Sequence, residues 1–114
     1  MSHGGIALGA YGEKLAARWY TQAGYRVVAQ NWRCDIGEID IIVRRGPELV
    51  IAEVKTRSSS RFGVPAEAVN HAKRRKLRAL AHAWLATTDE YFDEVRFDVV
   101  SISGRDVEVI EAAF

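Results

Sequence analysis

A single cysteine, Cys34, stands among the 114 residues. That excludes an internal disulfide framework, and no second Cys or nearby His lies at zinc-ligand spacing. Cys34 therefore reads as structural, and the chain suits a reducing cytoplasm. No apolar run approaches the roughly 20 residues of a membrane span, so no membrane partner is expected. The opening Met-Ser-His-Gly-Gly lacks the pattern of a secretory signal, and residues 1–5 are expected to be flexible. Repeats and low-complexity segments are absent too. No Ser-His-Asp or Cys-His arrangement is present: His3, His71 and His82 are scattered, and the last two read as helix-surface residues. What remains suits one domain with a single core of moderate size.

Net charge is also small, at +1, but it is unevenly spread. From Lys55 to Arg78 there are eight Lys or Arg residues and one acid, Glu67. From Asp89 onward there are eight acids and two arginines, whereas the first 54 residues carry six of each sign. A chain can offer a polyanion a local positive field without being basic as a whole.

Apolar spacing gives the outline. Tyr11, Gly12, Leu15, Ala16 and Trp19 recur at three- and four-residue steps, predicting a helix over 5–23 that Gly24 ends. Tyr25–Gln30 reads as a strand, and Asn31–Asp35 as the lead into a hairpin, with Trp32 a core residue ahead of the alternative, a stacking surface. Glu38–Val43 and Leu49–Lys55 are two further strands about a turn containing Gly46 and Pro47. A polar loop follows, carrying Arg57 and Arg61, whose groups could hold phosphate oxygens. Pro65 fits the first turn of a second helix running to about Thr87, with Val69, Lys73, Leu77, Leu80 and Trp84 on one face. Val95–Val99 and Val107–Ile110 complete an α/β domain with a mixed sheet and helices packed against it.

The stretch from Gly37 to Thr56 concentrates the chemistry. Side chains two apart on a strand share a face, so Glu38 pairs with Asp40 and Glu53 with Lys55. Charge in otherwise apolar strands is costly. Two carboxylates about 5 Å apart repel by roughly 3 kcal/mol at an effective dielectric near 20. A shared proton, a nearby cation such as Lys55, or a divalent ion would each relieve that repulsion. Magnesium prefers a few oxygen ligands plus waters, and the Val54 carbonyl could add a third oxygen. The plainer reading, a solvated Glu-Lys pair on a strand, stands beside this one.

Taken together, Gly12-Glu13 with Ala16, Asn31-Trp32-Arg33-Cys34, Gly37-Glu38-Ile39-Asp40, Glu53-Val54-Lys55-Thr56-Arg57, Phe62-Gly63 with Pro65, Ala68-Val69 with Lys73, and Phe97-Asp98-Val99 resemble a known set. The chain resembles the YraN-like family of small bacterial proteins, which is similar to the Holliday-junction-resolvase branch of the PD-(D/E)XK nucleases. The resemblance implies a restriction-endonuclease-like mixed sheet in the order αβββαββ. It implies that Asp40 and Glu53 are metal-binding acids and Lys55 the motif lysine, although Ile39 replaces the usual proline. Glu13 matches an additional acid on the first helix, and Lys73 a basic position on the helix after the motif. The implied cofactor is Mg²⁺, with Mn²⁺ as a substitute, held by Asp40, Glu53, the Val54 carbonyl and Glu13. Lys55 would orient or deprotonate water, or stabilise developing charge. Arg57, Arg61, Lys73, Arg74 and Lys76 would contact the backbone of double-stranded or branched DNA, and by analogy the protein would be a homodimer. The competing expectations are an accessory module that keeps the nuclease fold with little chemistry, and a scaffold whose Glu53–Lys55 pair is only structural.

Overall fold

Two helices bury opposite faces of one five-stranded sheet. The computed structural model describes residues 3–57 and 70–114, and in the first helix the side chains from Gly9 onward. The elements are α1 (His3–Gln22), β1 (Arg26–Arg33), β2 (Glu38–Arg45), β3 (Glu48–Arg57), α2 (His71–Leu85), β4 (Glu94–Ser103) and β5 (Asp106–Ile110). Strands lie in the order β1-β2-β3-β4-β5. Only β3 and β4 pair in parallel; the other neighbours are antiparallel. A parallel pair requires a crossover, and the segment containing α2 provides it. Gly46, at φ 59°, takes the first position of the two-residue β2–β3 turn, as mirror-image hairpin turns require. No helix among the described residues is long and apolar enough to cross a membrane.

β3 explains the layering. Leu49 and Ile51 pack with Leu77, Leu80, Ala81 and Trp84 of α2. Val50 and Ala52 face the other way, onto Ala16 and Tyr20 of α1. Strand alternation thus feeds both layers from one apolar run, and each fully buried aliphatic contributes about 1.5–3 kcal/mol. Trp32 and Cys34 are partly buried against the α2-side core, in keeping with structural roles. His71 and His82 are exposed on α2.

Two expectations shift. Asn70 has extended backbone and caps α2, its side chain accepting from the Lys73 amide at 2.9 Å. The helix therefore begins later than the proline-based reading places it; Pro65, like Val69, lies outside the described residues. On α1 the inward face centres on Gly12, Ala16 and Tyr20, whereas Tyr11 is 41% exposed. Gly12 explains that rotation. A Cβ there would meet Thr56 Oγ1 at 1.9 Å and Thr56 Cβ at 3.1 Å, so glycine lets the helix lie directly on β3.

One buried charge fastens α1 to the far half of the sheet. Asp98 is fully buried and accepts hydrogen bonds from the Tyr20 hydroxyl (2.7 Å), the Ala112 amide (3.1 Å) and Arg96 Nε (2.9 Å). Arg96 also donates to Glu48 at 2.8 Å. Burial, then the charge of Asp98, holds the Tyr20 phenol far above its usual range, so it stays a donor. Removing one partner from such a set strands the other. We expect Tyr20→Phe to cost about 1.5–3 kcal/mol and Asp98→Asn about 3–5 kcal/mol in urea unfolding. Losses under about 0.5 kcal/mol, the range of ordinary surface substitutions, would mean that the network holds nothing.

Candidate active site

The site forms where the sheet stops being regular. The β2–β3 ladder runs from Arg45↔Glu48 to Ile41↔Ala52. Its continuation would set Asp40 opposite Glu53 and Ile39 opposite Val54. Instead Asp40 Oδ2 accepts the Val54 amide at 2.8 Å. A strand residue's N–H and C=O point to the same neighbour, so the Val54 carbonyl faces that gap as well. On the other side, β1 pairs with β2 at Gln30↔Ile41 and Trp32↔Ile39. Asn31, between them, has left-handed backbone at φ 52°. Asparagine tolerates that conformation better than most residues. Its side-chain amide donates to Glu13 Oε1 at 3.0 Å and so joins α1 to this corner of the sheet.

Glu53 is the buried acid, 6% exposed, and its carboxylate holds two ammonium groups. Lys73 Nζ lies 2.9 Å and Lys55 Nζ 3.3 Å from Glu53 Oε2. Lys73 heads the apolar face of α2, and the Asn70 cap fixes that turn. Its position brings the ammonium over the sheet, as its place in the apolar stripe predicts. Glu38, Asp40, Glu53, Lys73, Lys76, Leu77 and Leu80 line a cavity of about 200 Å³.

Asp40 differs from Glu53 in having no cationic partner within ion-pair distance among the described residues. Burial pushes its carboxyl up to about 7; the Val54 hydrogen bond pulls the other way, and the charges of Glu53, Glu13 and Glu38 add to the rise. Glu13 thus acts on Asp40 although it belongs to the helix on the opposite face.

The remaining candidates are placed unevenly. Lys76 lines the cavity beside Gly37, where a Cβ would come within 2.7 Å of Lys76 Cε. Arg57, at the end of β3, has a buried Nε without a hydrogen-bond partner among the described residues. Arg74 is turned toward the C-terminus, its guanidinium 5.5 Å from the Phe114 ring centre, and is absent from the cavity lining. Arg61 lies outside the described residues. Two contributors escape sequence reasoning. Strand alternation puts Glu38 on the face of Asp40 without revealing it as a wall of the cavity, and Asn31 looks like mere hairpin entry. Only the asparagine's tolerance of left-handed backbone could flag Asn31.

Comparison with known proteins places the chain. The family described as "Uncharacterised protein family UPF0102" matches residues 12–102. The chain belongs to this family. The UPF0102 protein of Beutenbergia cavernae is 53% identical over 96 residues, covering 84% of this chain and 81% of its own length. That of Rhodococcus opacus is 49% identical over 102 residues, covering 90% and 86% respectively. The UPF0102 match spans Glu13, Asp40, Glu53, Lys55 and Lys73.

As to a metal, two carboxylates and a main-chain carbonyl around a small polar cavity fit magnesium, which takes one or two carboxylates and keeps its waters. Among the described residues no three His, Cys, Asp or Glu side chains converge into a metal cage.

The raised Asp40 carboxyl has a consequence for stability. Its folded value, about 7, lies above the ordinary 3.8, so between those values the native state holds a proton that the unfolded chain has released. Stability must fall as pH rises through that window. Asp40→Asn keeps an acceptor for the Val54 amide and removes the charge. In EDTA we expect the variant to match wild type at pH 3, below both values. At pH 8 it should exceed wild type by roughly 1–2 kcal/mol, the full shift being discounted for solvent screening. Equal stability at both pH values in chemical unfolding would refute the repulsion.

Proposed function

We propose that this protein is a metal-dependent endonuclease that hydrolyses DNA phosphodiesters, with branched or structured DNA as its substrate. The observation that carries the reading is the pairing of opposites at one corner of the sheet. Among the described residues Asp40 is an acid without a cation, while Glu53, which lines the same cavity, holds Lys55 and Lys73. Asp40, Glu53 and the Val54 carbonyl would hold Mg²⁺, or Mn²⁺ in its place, with Glu13 bordering the set. When bound, such an ion neutralises phosphate charge and makes water a better nucleophile.

The chain's own groups account for the rest. Lys55, held 3.3 Å from Glu53, is set to donate to the attacking water and to the charge that develops on the phosphate oxygens. Lys73 and Lys76 present positive charge at the cavity for a phosphate of the backbone. Arg57 lies two residues beyond Lys55 on β3, on the same face of the strand, and adds positive charge for the backbone. Two-fold related cleavage points on a four-way junction would suit a homodimer.

One feature favours a second reading. Glu53 is already satisfied by Lys55 and Lys73 without a metal, as in an accessory module that binds nucleic acid but does not cut it. Cleavage separates the two. With Mg²⁺ or Mn²⁺ we expect wild type to cut plasmid or four-way junctions, and Asp40→Asn and Lys55→Ala to lose about 100-fold or more in rate. If all three proteins bind DNA equally and none cuts, the accessory reading stands and the endonuclease reading is lost.

A further inference from the structure

On the opposite face of the sheet from Lys73 lies a larger cavity, about 620 Å³, between α1 and the β4–β5 hairpin. Its lining includes Tyr11, Lys14, Leu15, Arg18 and Trp19 of α1, with Arg105 from the hairpin turn. The helical residues follow steps of three and four, so they form one continuous stripe. No acid lines this cavity among the described residues.

Cations and aromatic rings stand together in this groove. Four arginines elsewhere, Arg33, Arg44, Arg45 and Arg96, stand in ion pairs with acids. Lys14, Arg18 and Arg105 are not within ion-pair distance of any acid among the described residues. Lys14 and Arg18 stand four residues apart, about 6 Å along the helix axis, on the same side. Tyr11 is 41% exposed, and Trp19 is partly exposed with its edge-to-face contact directed inward to Tyr20 at 5.1 Å. Unpaired cations interleaved with accessible rings match a single nucleic-acid strand, whose phosphates need positive charge and whose unstacked bases need flat apolar partners. An acidic polypeptide would use the cations but leave the rings without a role.

We infer that the α1–β5 groove is a second nucleic-acid site, taking a single strand through Lys14, Arg18 and Arg105 with bases stacked on Tyr11 and Trp19. Glu13, directed to Asn31 and the catalytic corner, and Lys14, directed to the groove, are consecutive on α1. One helix therefore borders both sites. The inference deepens the proposed function, on which it rests for the choice of polyanion, by assigning unpaired DNA to a surface away from the acids.

The test is anisotropy of a 5′-labelled oligo-dT strand with the full chain in EDTA, where no metal-dependent cutting intrudes. We expect wild type to bind. The exposed pair Lys14→Ala/Arg18→Ala should weaken binding at least about tenfold. It should also reduce the slope of log K against log salt by about 1.4, or about 0.7 for each phosphate no longer neutralised. Tyr11→Ala should weaken binding about fivefold or more with the salt slope unchanged. Arg26→Ala, an exposed arginine that lines neither cavity, should leave it unaltered, and melting curves should confirm that each variant is folded. Absence of strand binding by wild type would overturn the inference. So would groove variants that bind the strand normally. Equal losses for poly-glutamate and oligo-dT, with Tyr11→Ala silent, would assign the groove to an acidic protein instead and overturn it likewise. Because cutting is never measured here, failure of the endonuclease reading leaves these outcomes intact and is recognised separately, by cleavage.

Discussion

The hydrogen bond from the Val54 amide to the Asp40 carboxylate is the constraint on which the site depends. It stands where a main-chain pair would otherwise continue the β2–β3 ladder, and it turns the end of an ordinary hairpin into a gap lined by oxygen atoms. Everything nearby follows from that interruption. Glu53 comes beside Asp40, the Val54 carbonyl looks into the same gap, and Asn31 on the neighbouring strand takes up a left-handed turn to reach Glu13. A carboxylate used as a backbone acceptor is poorly placed to shed its charge elsewhere, and burial with three neighbouring acids raises its proton affinity.

The two helices divide the work. α2 brings Lys73 to Glu53 and roofs the smaller cavity, while α1 brings Glu13 to the same corner from the other face. Gly12 is what permits the second approach, since any side chain there would push α1 off Thr56. The buried Asp98 set fixes α1 at its far end through Tyr20, so the helix is held at both ends of the sheet. The Asp98 set is structural, and this matters to the chemistry: it holds α1, and with it Glu13, in place whether or not a cation is present at the corner.

Much of this is legible in the residues, for identifiable reasons. Period-two alternation with Gly46 and Pro47 locates the central hairpin, and it correctly puts Glu53 and Lys55 on one face. Lys73 in an apolar stripe announces a charge with an inward errand. Less legible are features decided by tertiary contact. The burial of Asp98 depends on Tyr20, Arg96 and the Ala112 amide arriving from distant points in the chain. The rotation of α1 turns on a single absent methyl group at Gly12, and that rotation is what leaves Tyr11 exposed in a groove rather than in the core. The start of α2 is set by Asn70 because its side chain supplies an acceptor for the Lys73 amide, a cap that Pro65 cannot provide. Membership of the UPF0102 family agrees with the YraN-like resemblance read from motifs along nearly the whole chain.

Whether the corner of the sheet is a cation site is most directly measured in crystals soaked with Mn²⁺ at pH 8, where Asp40 is ionised. We expect one anomalous peak between the carboxylates of Asp40 and Glu53, accompanied by movement of Lys73 away from Glu53. Crystals that show no peak there at saturating Mn²⁺, with both lysines still clasping Glu53, would contradict the account.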